Sequence, residues 1–377
     1  MKKICLVVSS EITVAAFLRE HIRQAATRYD VTVAVNTRNP ALLQTLGLKA
    51  ELQSIAIERR IAPRQDLRAL SALFRLFRRM RFDLVHSVSP KAGLLVMLAG
   101  FLARVPVRIH SFTGQVWVTR QGYARWLLKS TDRLIALFAT HVLVDSPSQR
   151  EFLLAQGIVS AEKSRVLGKG SISGVDASRF KPDSQMRSDV RRNLGYREND
   201  VVFLFLGRLN RDKGVLDLAR AFARVAAIEQ NARLLIVGPD EDHLQAQMLD
   251  LLDNAAALAQ FVSYTDRPQN YMAAADVFCL PSYREGFGTT VIEAAAAGIP
   301  AIGSRIYGVT DAIDDRITGL LFEPGETGQL AEAMVSLASD ASLRRGLGER
   351  ARARALRDFS AEMVTAELMR FYAAAIG

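Results

Sequence analysis

Residues 203–222 read FLFLGRLNRDKGVLDLARAF. An apolar run rich in aromatic and branched side chains stops at Gly207. A polar loop follows, with Arg208 and Lys213 five residues apart, and helical periodicity resumes near Val215. That order spells strand, loop and helix, the unit from which parallel sheets are built. Cations at a strand end beside a helix start suit a diphosphate: Arg208 can hold two oxygens in a fork, and Lys213 acts as a point charge. A solvated turn would use the same residue types, so this loop alone leaves both readings open.

Outward from this stretch the alternation continues. Val201–Gly207, Ala232–Val237, Gln260–Tyr264, Val277–Pro281 and Ala301–Gly303 read as strands of one domain. Ile4–Val8, Val31–Val35, Leu84–Ser87, Val107–His110 and His141–Asp145 read as strands of another, with helical patterns such as Val14–Arg28 and Gln65–Arg81 between them. The apolar pattern lapses over Gly168–Pro182 (GKGSISGVDASRFKP), which places the linker there. A chain of 377 residues suits two domains of ordinary size. The fold class is therefore α/β, two Rossmann-like doubly wound domains, and ligands of such sheets bind beyond the carboxyl ends of the strands.

A second stretch, residues 281–300 (PSYREGFGTTVIEAAAAGIP), carries the strongest chemistry. A strand ends in a Pro-Ser turn, Gly286 and Gly288 permit close backbone approach, and a helix begins near Thr289. Free N–H groups at that start form a second phosphate cradle. Glu285 lies in the loop. Glu293 lies one turn into the helix, where a carboxylate suits a ribose diol. Ala294–Ala297 makes this helix small-faced and buried, and a buried glutamate without a partner is costly. The turns Tyr307-Gly308-Val309 with Asp311, and Thr318-Gly319-Leu320, read as structural.

Composition excludes several classes. Forty-nine per cent hydrophobic with 23 per cent charged residues is a globular composition. Cys5 and Cys279 each sit in an apolar run, with no disulfide or metal spacing. MKKICLVVSS is too short in apolar residues for a signal peptide. The apolar run Ala92–Ala103, 12 residues long, falls short of a bilayer span and reads as a buried helix. The net charge of +10 is uneven: residues 1–175 carry 26 Lys and Arg against 11 acids, while residues 176–377 carry 23 against 28.

Much of that excess lies in Arg59, Arg60, Arg64, Arg68, Arg75, Arg78, Arg79 and Arg81, interleaved with Leu67, Leu70, Leu73, Phe74, Leu76 and Phe77. The pattern is an amphipathic helix that packs on its own sheet, contacts anionic lipid, or does both. The basic run lacks interleaved aromatics in number and no nucleic-acid motif is present, so no nucleic acid is expected as a partner.

Gly207-Arg208…Lys213-Gly214, the Glu-x7-Glu element from Glu285 to Glu293, Gly286-Phe287-Gly288 and Pro281-Ser282 occur together and in order. With them the chain resembles the retaining family 4 glycosyltransferases of the GT-B fold, over nearly its whole length. That resemblance implies two domains facing each other across a cleft: residues 1–175 binding acceptor, residues 176–360 binding a nucleotide-sugar, and 361–377 a helix crossing back to the first domain. It implies that Arg208, Lys213 and the backbone at Phe287 and Gly288 bind the donor diphosphate, that Glu293 holds the ribose, and that Glu285 acts near the reacting face. Anomeric configuration would be retained, with no metal and no cofactor.

In the first domain the resemblance puts His110 at a strand end beside the transferred sugar, as a second catalytic residue. Ser10, Thr113, Gly114, Gln115 and Trp117 are candidate acceptor or sugar contacts. Where many members carry Gly-Gly after the first strand, this chain has Ser9-Ser10-Glu11; where many have Gly after the strand meeting the nucleobase, it has Thr265. Ser263 and Tyr264 are expected to act through backbone.

HSFTGQVW (110–117), DSPSQREFLLAQGIV (145–159) and GSISGVD (170–176) resemble members acting in bacterial surface-polysaccharide assembly. These imply transfer of a hexose or N-acetylhexosamine, from a UDP-linked donor to a polyprenyl-diphosphate-linked saccharide, in the cytoplasm at the inner face of the plasma membrane. A soluble transferase with a small acceptor, a sugar-nucleotide epimerase of the same fold, and a non-catalytic scaffold remain alternatives. The Glu-x7-Glu element argues against the epimerase.

Overall fold

The structure, a computed structural model, describes residues 1–58 and 62–377. It divides into two compact units, Met1–Gly174 with Ala361–Gly377, and Val175–Ser360.

The first unit is built on β1 (Lys3–Val8), β2 (Asp30–Val35), β3 (Glu51–Ser54), β4 (Leu84–Val88), β5 (Val107–Phe112), β6 (His141–Val144) and β7 (Ser164–Val166), in the spatial order β3-β2-β1-β4-β5-β6-β7. Every pairing is parallel. The order reverses between β1 and β4, which makes their carboxyl ends the switch point of a doubly wound sheet. β1 and β4 are buried along nearly their whole length, as a parallel sheet covered on both faces requires.

The Pro63–Met80 and Pro90–Leu102 helices cover one face. The C-terminal Ala361–Ile376 helix belongs to this unit. Two buried polar contacts seat it: His21 Nδ1 lies 2.8 Å from Thr365 Oγ1, and His86 Nδ1 lies 2.5 Å from Tyr372 OH.

The second unit holds β8 (Val201–Leu206), β9 (Ala232–Val237), β10 (Ala259–Val262), β11 (Val277–Leu280), β12 (Ala301–Ser304) and β13 (Gly319–Phe322), ordered β10-β9-β8-β11-β12-β13 and all parallel. Its switch point falls between β8 and β11. Those are the strands that end in the two stretches singled out by sequence.

Three strands escape sequence patterning. β3 (ELQS) is polar and half exposed, and β7 has three residues. β13 begins at Gly319, inside the Thr318-Gly319-Leu320 segment expected to be a turn. There a Cβ would lie 2.3 Å from the Ala301 carbonyl oxygen, so the close strand pairing itself demands glycine.

The amphipathic Pro63–Met80 helix forms, but its stripe is spent on the core. Leu73, Leu76 and Phe77 are buried, Leu70 and Phe74 pack against them, and Leu67 alone of the set is fully exposed. Arg64, Arg68, Arg75, Arg78, Arg79 and Arg81 are all exposed. Arg59 and Arg60 lie outside the described residues. The helix therefore packs its stripe on its own sheet, as one of the two readings held, and offers a partner charge with almost no apolar surface.

Candidate donor site

The site is assembled by two loops that leave the sheet of the second unit on either side of its switch point. After β8 the chain passes Gly207 and Arg208, makes one 3-10 turn over Arg211–Lys213, and enters the Val215–Ile228 helix through Gly214. Gly214 has φ of 65°, and a Cβ there would sit 1.9 Å from the carbonyl oxygen of Pro281. Only glycine lets the β8 loop press against the start of the β11 loop this closely.

That contact brings Lys213 to Glu285. Lys213 Nζ lies 2.5 Å from Glu285 Oε1, and Ser282 Oγ donates to the same oxygen at 2.8 Å. Both side chains are mostly shielded, Lys213 being 22% and Glu285 13% exposed. Neighbouring contacts tie the loops further. Arg284 Nε meets Asp212 Oδ2 at 2.8 Å, the Tyr283 amide donates to Asp212 O at 2.8 Å, and Tyr283 OH donates to Asp217 Oδ2 at 2.6 Å. Arg208 is more exposed and pairs with Glu241, Nη1 to Oε2 at 2.9 Å.

Beyond Glu285, Gly288 takes φ of 86° and launches the Thr289–Ala296 helix. The amides of Phe287, Gly288, Thr289 and Thr290 donate to no acceptor among the described residues. Four N–H groups pointing off a helix start, with the partial positive charge of the helix behind them, suit an anionic oxygen. The Phe287 side chain is turned into the core, 2% exposed and edge-on to Phe359 at 5.1 Å, so that residue has only its backbone to offer.

Glu293 lies one turn further along. Its carboxylate makes no hydrogen bond or ion pair with any described residue, although its carbonyl accepts from the Ala297 amide. Its surface is only partly covered, yet protein crowds it enough that desolvation pushes the carboxyl up to about 7, opposed by the Arg179 guanidinium. A shielded acceptor without a donor, one turn behind a row of donors without acceptors, suits a ligand carrying hydroxyls next to phosphate.

Sequence reasoning gave Ser282, Tyr283, Asp212 and Asp217 no role. Only contact geometry shows that they fix the Lys213–Glu285 pair.

In the first unit the structure corrects two expectations. β5 continues two residues past His110, which is fully buried. Its Nδ1 lies 2.9 Å from Ser87 Oγ, and a Cβ on Gly93 would come within 2.4 Å of its Cε1, so the Pro90–Leu102 helix closes over the ring. Burial pushes the imidazole down to about 3, leaving it neutral. His110 thus lies within β5 and not at its end, and its Nε2, also buried, meets no hydrogen-bond partner among the described residues.

Trp117 is also interior, 1% exposed. Its Nε1 donates to Asp132 Oδ2 at 2.8 Å and its ring stacks on Phe152. Gln115 is fully buried and accepts from Gln149 Nε2 at 3.1 Å. Gly114 is buried with φ of 112°, and Thr113 is half buried just past β5. Ser10 is half buried, its Oγ 3.0 Å from Thr13 Oγ1, and it borders an open hollow also lined by Ser9, Glu11, Asn36 and Gln65. Of the expected acceptor contacts, Ser10 and Thr113 keep accessible side chains.

Two doubly wound parallel sheets, one with an anion-ready helix start at its switch point, define a nucleotide-binding α/β protein. Known proteins narrow this. Residues 14–170 match the Glycosyl transferase 4-like domain and residues 186–354 match Glycosyl transferases group 1.

The chain is 28% identical to the capsular polysaccharide biosynthesis glycosyltransferase CapM of Staphylococcus aureus, over 84% of this chain and 83% of that protein. It is 27% identical to the UDP-Gal:alpha-D-GlcNAc-diphosphoundecaprenol alpha-1,3-galactosyltransferase of Escherichia coli, over 75% and 73%. It is 31% identical to the D-inositol 3-phosphate glycosyltransferase of Saccharomonospora viridis, over 70% and 69%. The crystal structure of Anabaena HepE with UDP and glucose superposes with a TM-score of 0.82 at 19% identity, over 99% of this chain and all of that one. The chain belongs to the family 4 glycosyltransferases of the GT-B fold.

Proposed function

We propose that the protein is a retaining, metal-independent transferase. It moves a hexose or N-acetylhexosamine from a UDP-linked donor to a polyprenyl-diphosphate-linked saccharide, in bacterial surface-polysaccharide assembly at the cytoplasmic face of the plasma membrane. The observation that carries the donor half is the second unit's switch point, where Lys213, four unpaired amides and unpartnered Glu293 converge on one pair of loops.

In this reading the diphosphate takes the place of Glu285 on Lys213 and accepts from the amides of Phe287 to Thr290. Arg208 leaves Glu241 to join it. Glu285, released from Lys213, turns to the donor sugar, and Glu293 accepts from the ribose hydroxyls. As the bond from the sugar to the phosphate oxygen breaks, negative charge collects on the departing diphosphate. Pre-placed cations and N–H groups then stabilise the transition state more than the ground state, by about 3–4 kcal/mol for one such donor. Cations of this kind do for the leaving group what a divalent ion does elsewhere.

The acceptor half is supported by relatives. One acts on a diphosphoundecaprenol-linked sugar and another in capsular polysaccharide biosynthesis. We assign acceptor binding to the first unit, where Ser10 and Thr113 remain open. The Saccharomonospora viridis relative, a D-inositol 3-phosphate glycosyltransferase, favours a second reading in which the acceptor is small and water-soluble.

Incubating the protein with UDP-, GDP- and ADP-sugars, in EDTA, with either a polyprenyl-diphosphate saccharide or inositol phosphate separates the readings. Transfer from a UDP-sugar to the lipid-linked saccharide is expected. A strict GDP requirement, a need for divalent metal, or transfer only to the soluble acceptor would overturn the corresponding part.

A further inference from the structure

The Gly122–Phe138 helix is built inside out. Asp132, Ile135 and Ala136 face the interior of the first unit, while Tyr123, Trp126, Leu127, Leu134 and Leu137 are exposed. Trp126 is 60% and Leu137 64% exposed. Spacings of three, four, eleven and fourteen residues from Tyr123 fall on one side of a helix, so the five share one face, with Ser130 between the two halves of the stripe. Phe101 and Leu102, both exposed, end the neighbouring Pro90–Leu102 helix, and the Phe101 ring lies 5.1 Å from that of Phe138. Single apolar residues are ordinary at a surface, but five on one helix face, aromatics among them, mark a contact face.

Arg125, Lys129 and Arg133 run along one flank at four-residue spacing, and Arg120 precedes the helix. The helix has a single acid, Asp132, which is buried and bonded to Trp117. The exposed arginines of the Pro63–Met80 helix lie in the same layer, since the Pro90–Leu102 helix packs against both neighbours. Whatever covers the stripe must therefore be apolar in the middle and negative at the rim. A second copy of the chain would supply the apolar part but bring like charge to like charge.

We propose that this face docks the protein on an anionic lipid bilayer, the helix lying in the plane of the interface. Leu134 and Leu137 reach the acyl boundary, Tyr123 and Trp126 sit at headgroup level, and the cations meet lipid phosphates. The assignment gives the membrane reading above its surface. It moves the apolar contact away from the Pro63–Met80 helix, whose arginines serve long-range attraction.

The test uses the full chain and vesicles of phosphatidylglycerol with phosphatidylethanolamine, against vesicles of phosphatidylcholine alone. The chain has two tryptophans, and Trp117 is buried, so changes in emission report Trp126. A shift of emission to shorter wavelength with the anionic vesicles is expected, weakened by salt. The triple variant Trp126→Ser, Leu134→Ser, Leu137→Ser should lose more than about ten-fold in co-sedimentation affinity while far-ultraviolet dichroism and UDP binding persist.

Undiminished co-sedimentation of that variant overturns the proposal. So does a dimer in light scattering that the variant dissolves, which would make the stripe a protein interface. No donor or acceptor enters this assay, so failure of the lipid-linked acceptor reading leaves its result intact, and the reverse holds.

Discussion

Lys213 Nζ and Glu285 Oε1 stand 2.5 Å apart although the residues are separated by 72 positions in sequence. The pair closes the switch point of the second sheet and holds the cation proposed for the donor diphosphate. Glu285 keeps the Lys213 ammonium paired where both side chains are mostly shielded and a lone charge would be costly. In the function proposed above, donor binding would exchange one anion for another instead of creating a new buried charge.

Glu293 gives the site a pH signature. Its folded-state carboxyl is raised, to about 7, so between the ordinary glutamate range and that value the folded chain holds a proton that the unfolded chain has lost. Stability from this group thus falls as pH rises through that window. Glu293→Gln should leave the melting temperature nearly unchanged at pH 5 and raise stability by about 1–3 kcal/mol at pH 8. Ribose hydroxyls favour the charged carboxylate, so UDP should bind the parent more tightly as pH rises through 7, releasing a proton. The Gln variant should lose that dependence. Calorimetry in two buffers of different ionisation enthalpy reads both effects.

Gly214 is the point at which backbone geometry limits the site. Gly214→Ala places a Cβ within 1.9 Å of the Pro281 carbonyl oxygen, at a φ that L residues rarely adopt. The two loops must separate, so thermal unfolding should show a loss of about 1–3 kcal/mol or more. UDP affinity should fall with it, because Lys213 and Glu285 follow their loops.

Trp117 is a scaffold residue. Desolvation pushes the Asp132 carboxyl up to about 7, and the Trp117 N–H opposes that rise. Trp117→Phe removes the donor and leaves a buried carboxyl unsatisfied, costing about 1–3 kcal/mol. The cost should grow as pH rises through 7 and the carboxyl is forced to ionise. The Michaelis constant for the donor should not move, because Trp117 and the donor loops belong to different units.

The parallel-sheet class was legible because strand and helix periods alternate clearly, and the central strands are apolar enough to read at sight. The short polar edges β3 and β7 were not, since edge strands carry little of the core. Lys213 and Glu285 could be named from the two Gly-rich stretches. Their contact could not, because the Gly214–Pro281 approach that makes it joins segments far apart in sequence.

Strand position and aromatic character do not tell an interior side chain from one facing a ligand. Trp117 is interior, its N–H bonded to Asp132, whereas His110 is buried with Nδ1 beside Ser87 and Nε2 unpartnered among the described residues. The exposed stripe on the Gly122–Phe138 helix has the same period as a core-facing stripe, so pattern alone did not reveal which side faced out.

Titration calorimetry of UDP against the parent and Lys213→Ala tests the central claim most directly. Lys213→Ala should weaken UDP by about ten-fold or more, as the loss of a charge-assisted contact implies, with near-ultraviolet dichroism unchanged. Equal affinity in the two proteins would contradict the claim that the Lys213–Glu285 pair marks the diphosphate site.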